Sequence, residues 1–368
     1  MKRRQFLKGS LIAGGTAIAT LASSRSVFAE TQPKRILVLG GTFFLGPPLV
    51  EAALGDGHTV TLFNRGITNS ELFPHVEKLR GFRSPNPDDQ NLSALGLRHW
   101  DVVIDVWPHD PAVVESTAQL LKEHTKHYLY VSSIGAYDSK DFAQPNLKEE
   151  AALALWDGPA DSYSRGKAES ERRLRAIVGD KLTIVRPGAI KGPGDDTPDI
   201  LIWLRRMQKG RSVLAPGDGT DPVEIVDVRD VADFLIMAID HSIYGTFNLT
   251  GRSMSFREFL EGCKSATHSD AELIWTPASF LQAQSLAPQN LPNWFLNFPY
   301  WRPEPSRGNF ARVSSQKAFD AGWETRPFRN TAIDYLKYIA SLKNYVFRDT
   351  LPSEKQEEVL KLWKDRRR

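Results

Sequence analysis

The 368-residue chain has a single cysteine, Cys263, and no acidic residue among its first 29 positions. One cysteine excludes an intramolecular disulfide, which fits a protein that folds in a reducing compartment. Five basic residues lie in that first stretch, so the formal net charge of +3 for the whole chain becomes −2 for residues 30–368. The basic character belongs to the N-terminus, and the rest of the chain gives no electrostatic support for nucleic-acid binding.

The basic N-terminus has no apolar run of the ~20 residues that a membrane span needs. It contains Arg3-Arg4 followed by Phe6-Leu7-Lys8, which together resemble a twin-arginine (Tat) export signal. Val27 and Ala29 are small or slim residues at the two positions that signal peptidase reads. We therefore predict that residues 1–29 are a twin-arginine signal peptide, read by the Tat export machinery. A basic amphipathic arm or an uncleaved anchor is the alternative interpretation.

Short apolar runs alternate with stretches of helical spacing through the first half of the chain. The runs that indicate buried strands are Lys34–Gly40, Thr59–Phe63, Asp101–Val106, Tyr128–Ser132 and Leu182–Arg186. Such alternation predicts an α/β fold built on a Rossmann doubly wound parallel sheet.

After Arg186 the pattern loosens, and two segments look inserted into the order of the sheet. The second of them, residues 253–327, is rich in aromatic residues and proline. We predict four parts on this basis. They are the signal peptide 1–29, a Rossmann domain from 33–187 and 222–252, a smaller C-terminal substrate-binding lobe from 188–221 and 253–340, and a peripheral helical tail from 341–368.

A glycine-rich turn follows the first predicted strand, where a dinucleotide-binding fold needs one. Such a turn aims backbone N–H groups and the N-terminus of the next helix at a pyrophosphate. Phe43 stands at the middle position of the pattern, where a glycine is usual, and Gly46 would allow close packing of the helix. The candidate cofactor-binding residues of the turn are Gly40, Gly41, Thr42, Phe43, Phe44, Leu45 and Gly46.

No carboxylate stands at the end of the second predicted strand, about 20 residues beyond the turn, where NAD-specific sites usually place one. Asn64 and Arg65 stand there instead. A guanidinium suits a 2′-phosphate, so we predict that the cofactor is NAD(P), with NADP favoured over NAD. The alternative is that Arg65 is an ordinary surface residue at a strand end.

Tyr163 and Lys167 are four residues apart on a predicted helix, and therefore share one face of it. A nearby cation favours the phenolate and lowers the phenol's pKa from its usual ~10, which makes Tyr163 a candidate general base. Lys167 can also hydrogen-bond the nicotinamide ribose. Ser133 lies at the carboxyl end of a predicted strand, where α/β proteins bind ligands. We predict that Ser133, Tyr163 and Lys167 are the catalytic residues.

Other motifs accompany the turn and the Tyr163–Lys167 pair in a fixed order along the chain. They are Tyr130–Tyr137, Val185–Gly188, Gly192–Gly194, Val226–Asp230 and Ala321–Trp323. The ordered set resembles the extended short-chain dehydrogenases/reductases, in the NAD-dependent epimerase/dehydratase family and its subgroup with a Gly-Gly-Thr-x-Phe-Leu-Gly turn, over roughly residues 34–340. The resemblance implies that Ser133 orients the substrate oxygen, that Tyr163 is the acid/base and that Lys167 supports it. It also implies that Pro187 and Gly188 border the nicotinamide.

One departure from the family pattern concerns the residues that hold the adenine of the cofactor. Where relatives carry Gly-Asp after the third strand, this chain has Gly81-Phe82-Arg83. The resemblance therefore leaves the adenine contact in doubt, or implies that other groups supply it.

Three aromatic side chains are candidate substrate contacts. Trp107 and His109 follow the fourth strand and are expected to face the cleft, and Trp301 lies in an aromatic-rich part of the lobe. Flat rings stack on the C–H faces of sugars, which favours a carbohydrate-like substrate. The alternatives are that Trp301 belongs to the lobe core and that His109 is polar surface.

Export restricts the reaction, because free nicotinamide nucleotides and nucleotide-sugars are expected to be scarce outside the cytoplasm. We therefore predict a periplasmic or extracellular epimerase or oxidoreductase that retains its cofactor and acts on an unactivated sugar or glycoside. The alternatives are a reductase or dehydrogenase that exchanges its cofactor, and a non-catalytic nucleotide- or RNA-binding member of the fold. We expect no metal site, no nucleic-acid partner and no stable membrane anchor, and the sequence is compatible with a homodimer.

Overall fold

The structure is a computed structural model that describes residues 32–96, 98–108, 110–138, 141, 146–156, 163–286, 297–301, 313–343 and 345–366. The predicted signal peptide, residues 1–29, and His109 lie outside these ranges. Within them, no helix combines the length and hydropathy that crossing a bilayer requires.

Strands and helices alternate through the first half of the chain, as the apolar runs predict. The strands are β1 Arg35–Leu39, β2 Thr59–Asn64, β3 Glu77–Arg80, β4 Trp100–Asp105, β5 Thr125–Val131, β6 Leu182–Pro187, β7 Ala189–Lys191, β8 Ser212–Pro216, β9 Pro222–Val223, β10 Ile225–Asp227, β11 Gly245–Leu249, β12 Met254–Ser255 and β13 Glu272–Thr276. The α-helices are α1 Gly46–Gly55, α2 Pro111–Leu121, α3 Tyr163–Val178, α4 Asp199–Gln208, α5 Val228–Asp240, α6 Phe256–Ala266, α7 Ala278–Ala283, α8 Gln316–Asp320, α9 Phe328–Ser341 and α10 Ser353–Asp365.

Seven of the strands form one sheet in the order β11-β6-β5-β4-β1-β2-β3, with every neighbouring pair parallel. The central strands are almost wholly buried, with apolar residues over most of their length, because helices cover both faces of the sheet. Helices α1 and α5 pack together, as do α2 and α3. The strand order reverses between β1 and β4, and the crevice at such a switch point is where open α/β sheets bind ligands. The predicted Rossmann fold is confirmed.

A second hydrophobic cluster lies outside the sheet and combines distant parts of the chain. It includes residues of α4, α6, α7 and α9, and of the parallel pair β8–β13. Helix α10 also belongs to it, because Val359 and Leu360 are buried there and Trp363 packs against them. The prediction of a peripheral tail is therefore wrong: the apolar face of this amphipathic helix covers the cluster.

One short segment that we assigned to the lobe packs with the sheet instead. Ala318 and Trp323 belong to the apolar cluster between the sheet and helices α1 and α5. The indole N–H of Trp323 donates to the backbone oxygen of Asp230 at 2.8 Å, which attaches this segment to α5.

Candidate active site

A cavity of about 680 Å³ opens at the carboxyl ends of β1 to β5. Its size is within the usual range for small-molecule sites, roughly 300–1,000 Å³. The lining residues are Leu39–Gly46, Phe63–Thr68, Gly81–Arg83, Val106–Pro108, Val131, Ser132, Tyr163, Lys167 and Ile190. Three basic side chains, Arg65, Arg83 and Lys167, and no carboxylate stand among these described residues. Asp105 neutralises Arg83 within the protein, which leaves Arg65 and Lys167 as the basic groups that can meet an anion.

The glycine-rich turn forms one wall of the cavity, with Gly40 at φ +125° and Gly41 at φ +92°. Only glycine adopts such angles without strain. A Cβ on Gly46 would lie 2.4 Å from the carbonyl carbon of Gly41, so helix α1 begins directly against the turn. Gly46 thus permits close packing, although its neighbour is the turn itself and not the strand.

The turn has fewer backbone donors at its helical end than the motif alone suggests. Pro47 and Pro48 are the second and third residues of α1, and proline has no N–H. Donation to an anion is therefore left to residues 42–45. Among these, Phe44 has a φ of +47°, a value rare outside glycine and often found at ligand-binding sites.

Two asparagine side chains hold the carbonyl groups of the turn. Asn64 Nδ2 donates to the Gly40 oxygen at 3.0 Å, and Asn69 Nδ2 donates to the Thr42 oxygen at 2.8 Å. Sequence analysis missed Asn69, because nothing in its spacing distinguishes it from other polar loop residues.

Asn64 and Arg65, which we predicted to bind the cofactor, make different contacts in the structure. Asn64 is taken up by the turn, and its Oδ1 accepts from Gly66 N–H at 2.9 Å and from Arg80 Nη1 at 2.6 Å. Asn64 lines the cavity and keeps a second N–H on Nδ2, so its contact with the cofactor stays a prediction. Arg65 is exposed and lines the cavity. Arg80 pairs with Asn64 across β2 and β3, and this register places a second guanidinium near the same strand ends.

The two adjacent serines at the end of β5 point to different partners. Ser132 Oγ donates to the buried Glu171 at 2.6 Å, whereas Ser133 lies near enough to Tyr163 for its hydroxyl to lower the pKa of the phenol. Ser133 Oγ also accepts from Gly135 N–H at 3.0 Å. Ser133 is thus not bound to a carboxylate as Ser132 is, although Ser132 and not Ser133 is among the described residues that line the cavity.

Tyr163 is the first residue of α3 and lines the cavity. We predicted that Lys167 lowers its pKa, but the structure contradicts this. Burial of the hydroxyl raises the pKa of Tyr163 above its usual value of 10, and the nearby Ser133 hydroxyl works in the opposite direction. The Lys167 ammonium lies 5.9 Å from the centre of the Tyr163 ring and is directed elsewhere.

Lys167 is buried and donates to two backbone oxygens, that of Trp107 at 2.7 Å and that of Val131 at 2.5 Å. Burial lowers its pKa from 10.5 to about 7, although Asp105 and Glu171 act against the shift. An ammonium has three N–H donors, so one remains for a ligand in the cavity.

Two buried ion pairs surround these residues, and sequence analysis missed both. Glu171, which is four residues beyond Lys167 on α3, accepts from Arg186 Nε at 2.9 Å and Nη2 at 2.6 Å. Its pKa is held below 4.5 by Arg186, against the effect of burial. The only sign of the Glu171–Arg186 pair in the sequence is that Glu171 follows Lys167 by four residues and so shares its helix face.

The second ion pair explains the unusual residue after β3. Arg83 turns inward and makes a bidentate contact with Asp105, at 2.8 and 2.7 Å, at the end of β4. Its Nε donates to Thr117 Oγ1 at 3.0 Å. Asp105 also accepts from Trp107 N–H at 2.9 Å, so this ion pair fixes the loop whose carbonyl holds Lys167.

Three other residues were predicted to contact the cofactor or the substrate, and one of them lines the cavity. Trp107 lines the cavity, with the guanidinium of Arg83 5.2 Å from its ring centre. Pro187 and Gly188 do not line it: Pro187 is buried beside Leu249 and Gly188 packs against Thr250, while Ile190 reaches the cavity.

Trp301 is buried in the hydrophobic cluster of the lobe and does not line the cavity. Assigning it to the substrate was therefore wrong, because its ring packs edge-on against Phe298 at 5.8 Å. Among the residues that the structure describes, no group of three or more His, Cys, Asp or Glu side chains could hold a metal ion.

Comparison with known proteins gives one family and several relatives. The model of the NAD dependent epimerase/dehydratase family matches residues 36–250. The chloroplast stem-loop binding protein of 41 kDa b from Arabidopsis thaliana is 28% identical over 268 residues, which are 68% of this chain and 68% of that protein. Sterol demethylase protein B of Methylococcus capsulatus is 25% identical over 317 residues, which are 79% of this chain and 91% of that protein.

Solved structures share the fold at lower identity. UDP-glucuronic acid 4-epimerase from Bacillus cereus, in complex with NAD, matches with a TM-score of 0.58 and 16% identity, covering 83% of this chain and 98% of that chain. At this identity the match describes the fold.

Proposed function

Because the chain belongs to the NAD dependent epimerase/dehydratase family, we propose that it is an exported epimerase or oxidoreductase that keeps its nicotinamide cofactor through turnover. Its substrate is a secondary alcohol of an unactivated sugar or glycoside. One observation carries the proposal: Tyr163 and Lys167 stand at the wall of a cavity that the glycine-rich turn also lines and that has no carboxylate among its described lining residues.

The residues present fit a nicotinamide dinucleotide. Residues 42–45 supply backbone N–H groups for the pyrophosphate, and the remaining N–H of Lys167 reaches into the cavity for a ribose hydroxyl. Arg65 lines the cavity at the end of β2, and Arg80 pairs with Asn64 beside it, which supports NADP. The Bacillus cereus epimerase is in complex with NAD, which supports the cofactor that lacks a 2′-phosphate. The preference for NADP over NAD is therefore a part of the proposal that must be tested.

The lining residues Val131, Ser132, Tyr163 and Lys167, with Ser133 next to them in the chain, form what we call the catalytic half of the cavity, where the proton transfer takes place. A bound oxidised nicotinamide supplies a hydride acceptor that can also return the hydride. Tyr163 Oη takes the proton of the substrate hydroxyl, and gives it back when the carbonyl is reduced. Ser133 donates to the same substrate oxygen. The raised pKa of Tyr163 means that the phenolate is scarce near neutral pH in the empty protein, and the positive charge of the bound nicotinamide favours it.

Retention of the cofactor is tested by turnover without added nucleotide. Protein purified from export-competent cells is gel-filtered and incubated with free sugars, methyl glycosides and sterol alcohols, and the products are analysed by NMR. We expect a sugar to be converted with no nucleotide added, and no conversion by Tyr163→Phe. Conversion that depends on added NAD or NADP would instead identify a reductase or dehydrogenase that exchanges its cofactor.

Export is tested separately on the first residues. Arg3→Lys and Arg4→Lys together keep the charge but remove the twin-arginine pair. We expect this variant to remain in the cytoplasm, while a Lys2→Arg control is exported like the wild type. Export of the double variant at the wild-type level would refute the twin-arginine route.

RNA binding is the second candidate, because a plant relative is described as a stem-loop binding protein. The net charge of −2 outside residues 1–29 and the Ser133–Tyr163–Lys167 arrangement count against it. A gel-shift titration with stem-loop RNA decides the matter. An affinity for RNA that falls steeply as the salt concentration rises would support RNA binding. No binding at low salt concentration would exclude RNA binding.

A further inference from the structure

One region of the cavity has exposed apolar side chains and, among its described lining residues, no carboxylate to recognise a base. Since the residue at the end of the second strand meets the ribose of adenosine in this fold, the base lies beyond it, over the ends of β3 and β4. We call this region the adenosine half. Its lining residues are Ile67, Thr68, Gly81, Phe82, Arg83, Trp107 and Pro108.

Most donors of the charged and amide groups near this region are already in use. Four of the five guanidinium N–H groups of Arg83 donate within the protein, to Asp105, Thr117 and the backbone oxygen of Val113. Asn64 is bound to the turn and to Arg80. No carboxylate is among the described lining residues, so nothing there accepts a hydrogen bond from the amino group of adenine with a full negative charge.

Phe82 is held in place by its backbone, and its ring is left in the open. Its N–H donates to the Asn91 oxygen at 3.0 Å, and its own oxygen accepts from Asn91 N–H at 2.7 Å. Gly81 has no room for a side chain, since a Cβ would lie 2.4 Å from the ring of Phe63. The chain is thus fixed on both sides of a phenyl ring that is 40% exposed.

Ile67 is the second open apolar group, with 72% of its surface exposed. Large apolar side chains exposed within one cavity mark a place where a ligand removes them from water. A purine offers two flat apolar faces of suitable size, and aromatic side chains stack on any base because every base has a π-face.

We propose, resting on the proposed function, that Phe82 and Ile67 form the platform for the purine base of the cofactor, so that the protein recognises the faces of the base and not its 6-amino group. Specificity for adenine is therefore low in this protein. The inward turn of Arg83 is the structural cause, because it leaves Phe82 as the outermost side chain after β3.

The test compares binding of NAD with binding of its analogue in which purine, lacking the 6-amino group, replaces adenine. Co-purified nucleotide is first removed with charcoal, and the two dissociation constants are measured by calorimetry. We expect them to agree within about threefold, since no charged acceptor is lost with the amino group. A loss of more than about tenfold for the analogue would overturn the proposal, because it would require a specific hydrogen bond to that group.

Variants of Phe82 test the platform directly. Phe82→Ala should weaken both ligands equally, by roughly tenfold, since a stacked base contributes on this order. Phe82→Leu, which keeps an apolar side chain, should fall between, and melting temperatures verify that both variants fold. Tyr244→Ala is the matched control, because Tyr244 is 45% exposed and does not line the cavity. Equal binding by wild type and Phe82→Ala would overturn the proposal.

Phe82→Asp should create discrimination that the wild type lacks, because the new carboxylate can accept from the 6-amino group. A variant that binds both ligands equally would count against the placement of the base over Phe82. The proposed function fails in a different way: wild type that binds neither NAD, NADP nor the analogue refutes it, and this inference with it.

Discussion

In the catalytic half of the cavity, Lys167 is buried and fixed by two carbonyl groups, whereas in the adenosine half Phe82 and Ile67 present open apolar surface. The buried ion pair between Glu171 and Arg186 supports the catalytic half. Proton transfer requires fixed distances between heavy atoms, so rigid hydrogen bonding suits the first region. Binding a flat base requires only area, so the second region can remain apolar and solvent-exposed until the ligand arrives.

The two regions are nevertheless connected. Arg83 belongs to the strand end that borders the adenosine half, yet its ion pair with Asp105 fixes the loop whose Trp107 carbonyl holds Lys167. Because Arg83 turns inward, its guanidinium is withdrawn from the site of the base, and its ion pair with Asp105 stabilises the catalytic half. Four predictions separate the contributions of the two regions.

The largest effect is expected from Tyr163→Phe, which removes the acid/base and leaves the lining of the adenosine half intact. Turnover should fall by about 10³-fold, within the usual range for general acid–base catalysis. The nucleotide bound per chain should not change. Substantial residual turnover would remove Tyr163 from its catalytic role, and loss of the nucleotide would show that the two regions are not separable.

Glu171→Gln should be the most destabilising change, because it leaves the buried Arg186 without its charged partner. Breaking a buried ion pair costs about 3–5 kcal/mol of the free energy of unfolding. The matched control is Glu77→Gln, since Glu77 forms a bidentate but exposed pair with Arg98, and such pairs contribute ~1 kcal/mol or less. Urea unfolding measures both, and equal effects would contradict the difference in burial.

Lys167→Met should reveal the lowered pKa through the pH dependence of stability. Above pH 7 the amine is neutral in the folded protein, whereas in the unfolded chain it stays protonated up to about 10.5. The folded state then binds fewer protons, so this residue makes the free energy of unfolding rise with pH. Between pH 7 and 9 the wild type should gain roughly 2 kcal/mol relative to the variant. A difference that does not change with pH would place the pKa of Lys167 near its ordinary value.

The smallest effect concerns the 2′ group. Arg65→Ala and Arg80→Ala should each weaken NADP by about tenfold while changing NAD little, because only NADP has the phosphate that a guanidinium binds. Calorimetry measures both ligands, and Arg98→Ala, at an exposed site outside the cavity lining, is the control. Equal loss for NAD and NADP would refute the preference for NADP.

The sequence predicts the sheet well because most of its strands contain a short apolar run, and local patterning alone determines that feature. The spacing of Tyr163 and Lys167 likewise predicts that they share a helix face. It does not predict the pKa of Tyr163, which depends on burial and on the carbonyl groups that draw Lys167 away. The burial of Trp301 depends on tertiary packing in the same way, as an aromatic residue in a lobe is compatible with both a core and a rim.

The inward turn of Arg83 was equally beyond local reasoning. Arg83, three residues beyond the end of β3, could have faced solvent or ligand, and only the position of Asp105 at the end of β4, three strands away in the sheet, decides between them. Asn64 shows the same dependence, because its partner Gly40 is on another strand end.

The central claim is that this cavity holds a nicotinamide dinucleotide and that Tyr163 works beside it. The most direct measurement is the amount and mass of nucleotide released when wild type and Tyr163→Phe, both purified under native conditions, are denatured. We predict close to one NAD or NADP per chain for both proteins. Wild type that releases no nicotinamide nucleotide, and binds neither NAD nor NADP when they are added, would contradict the account.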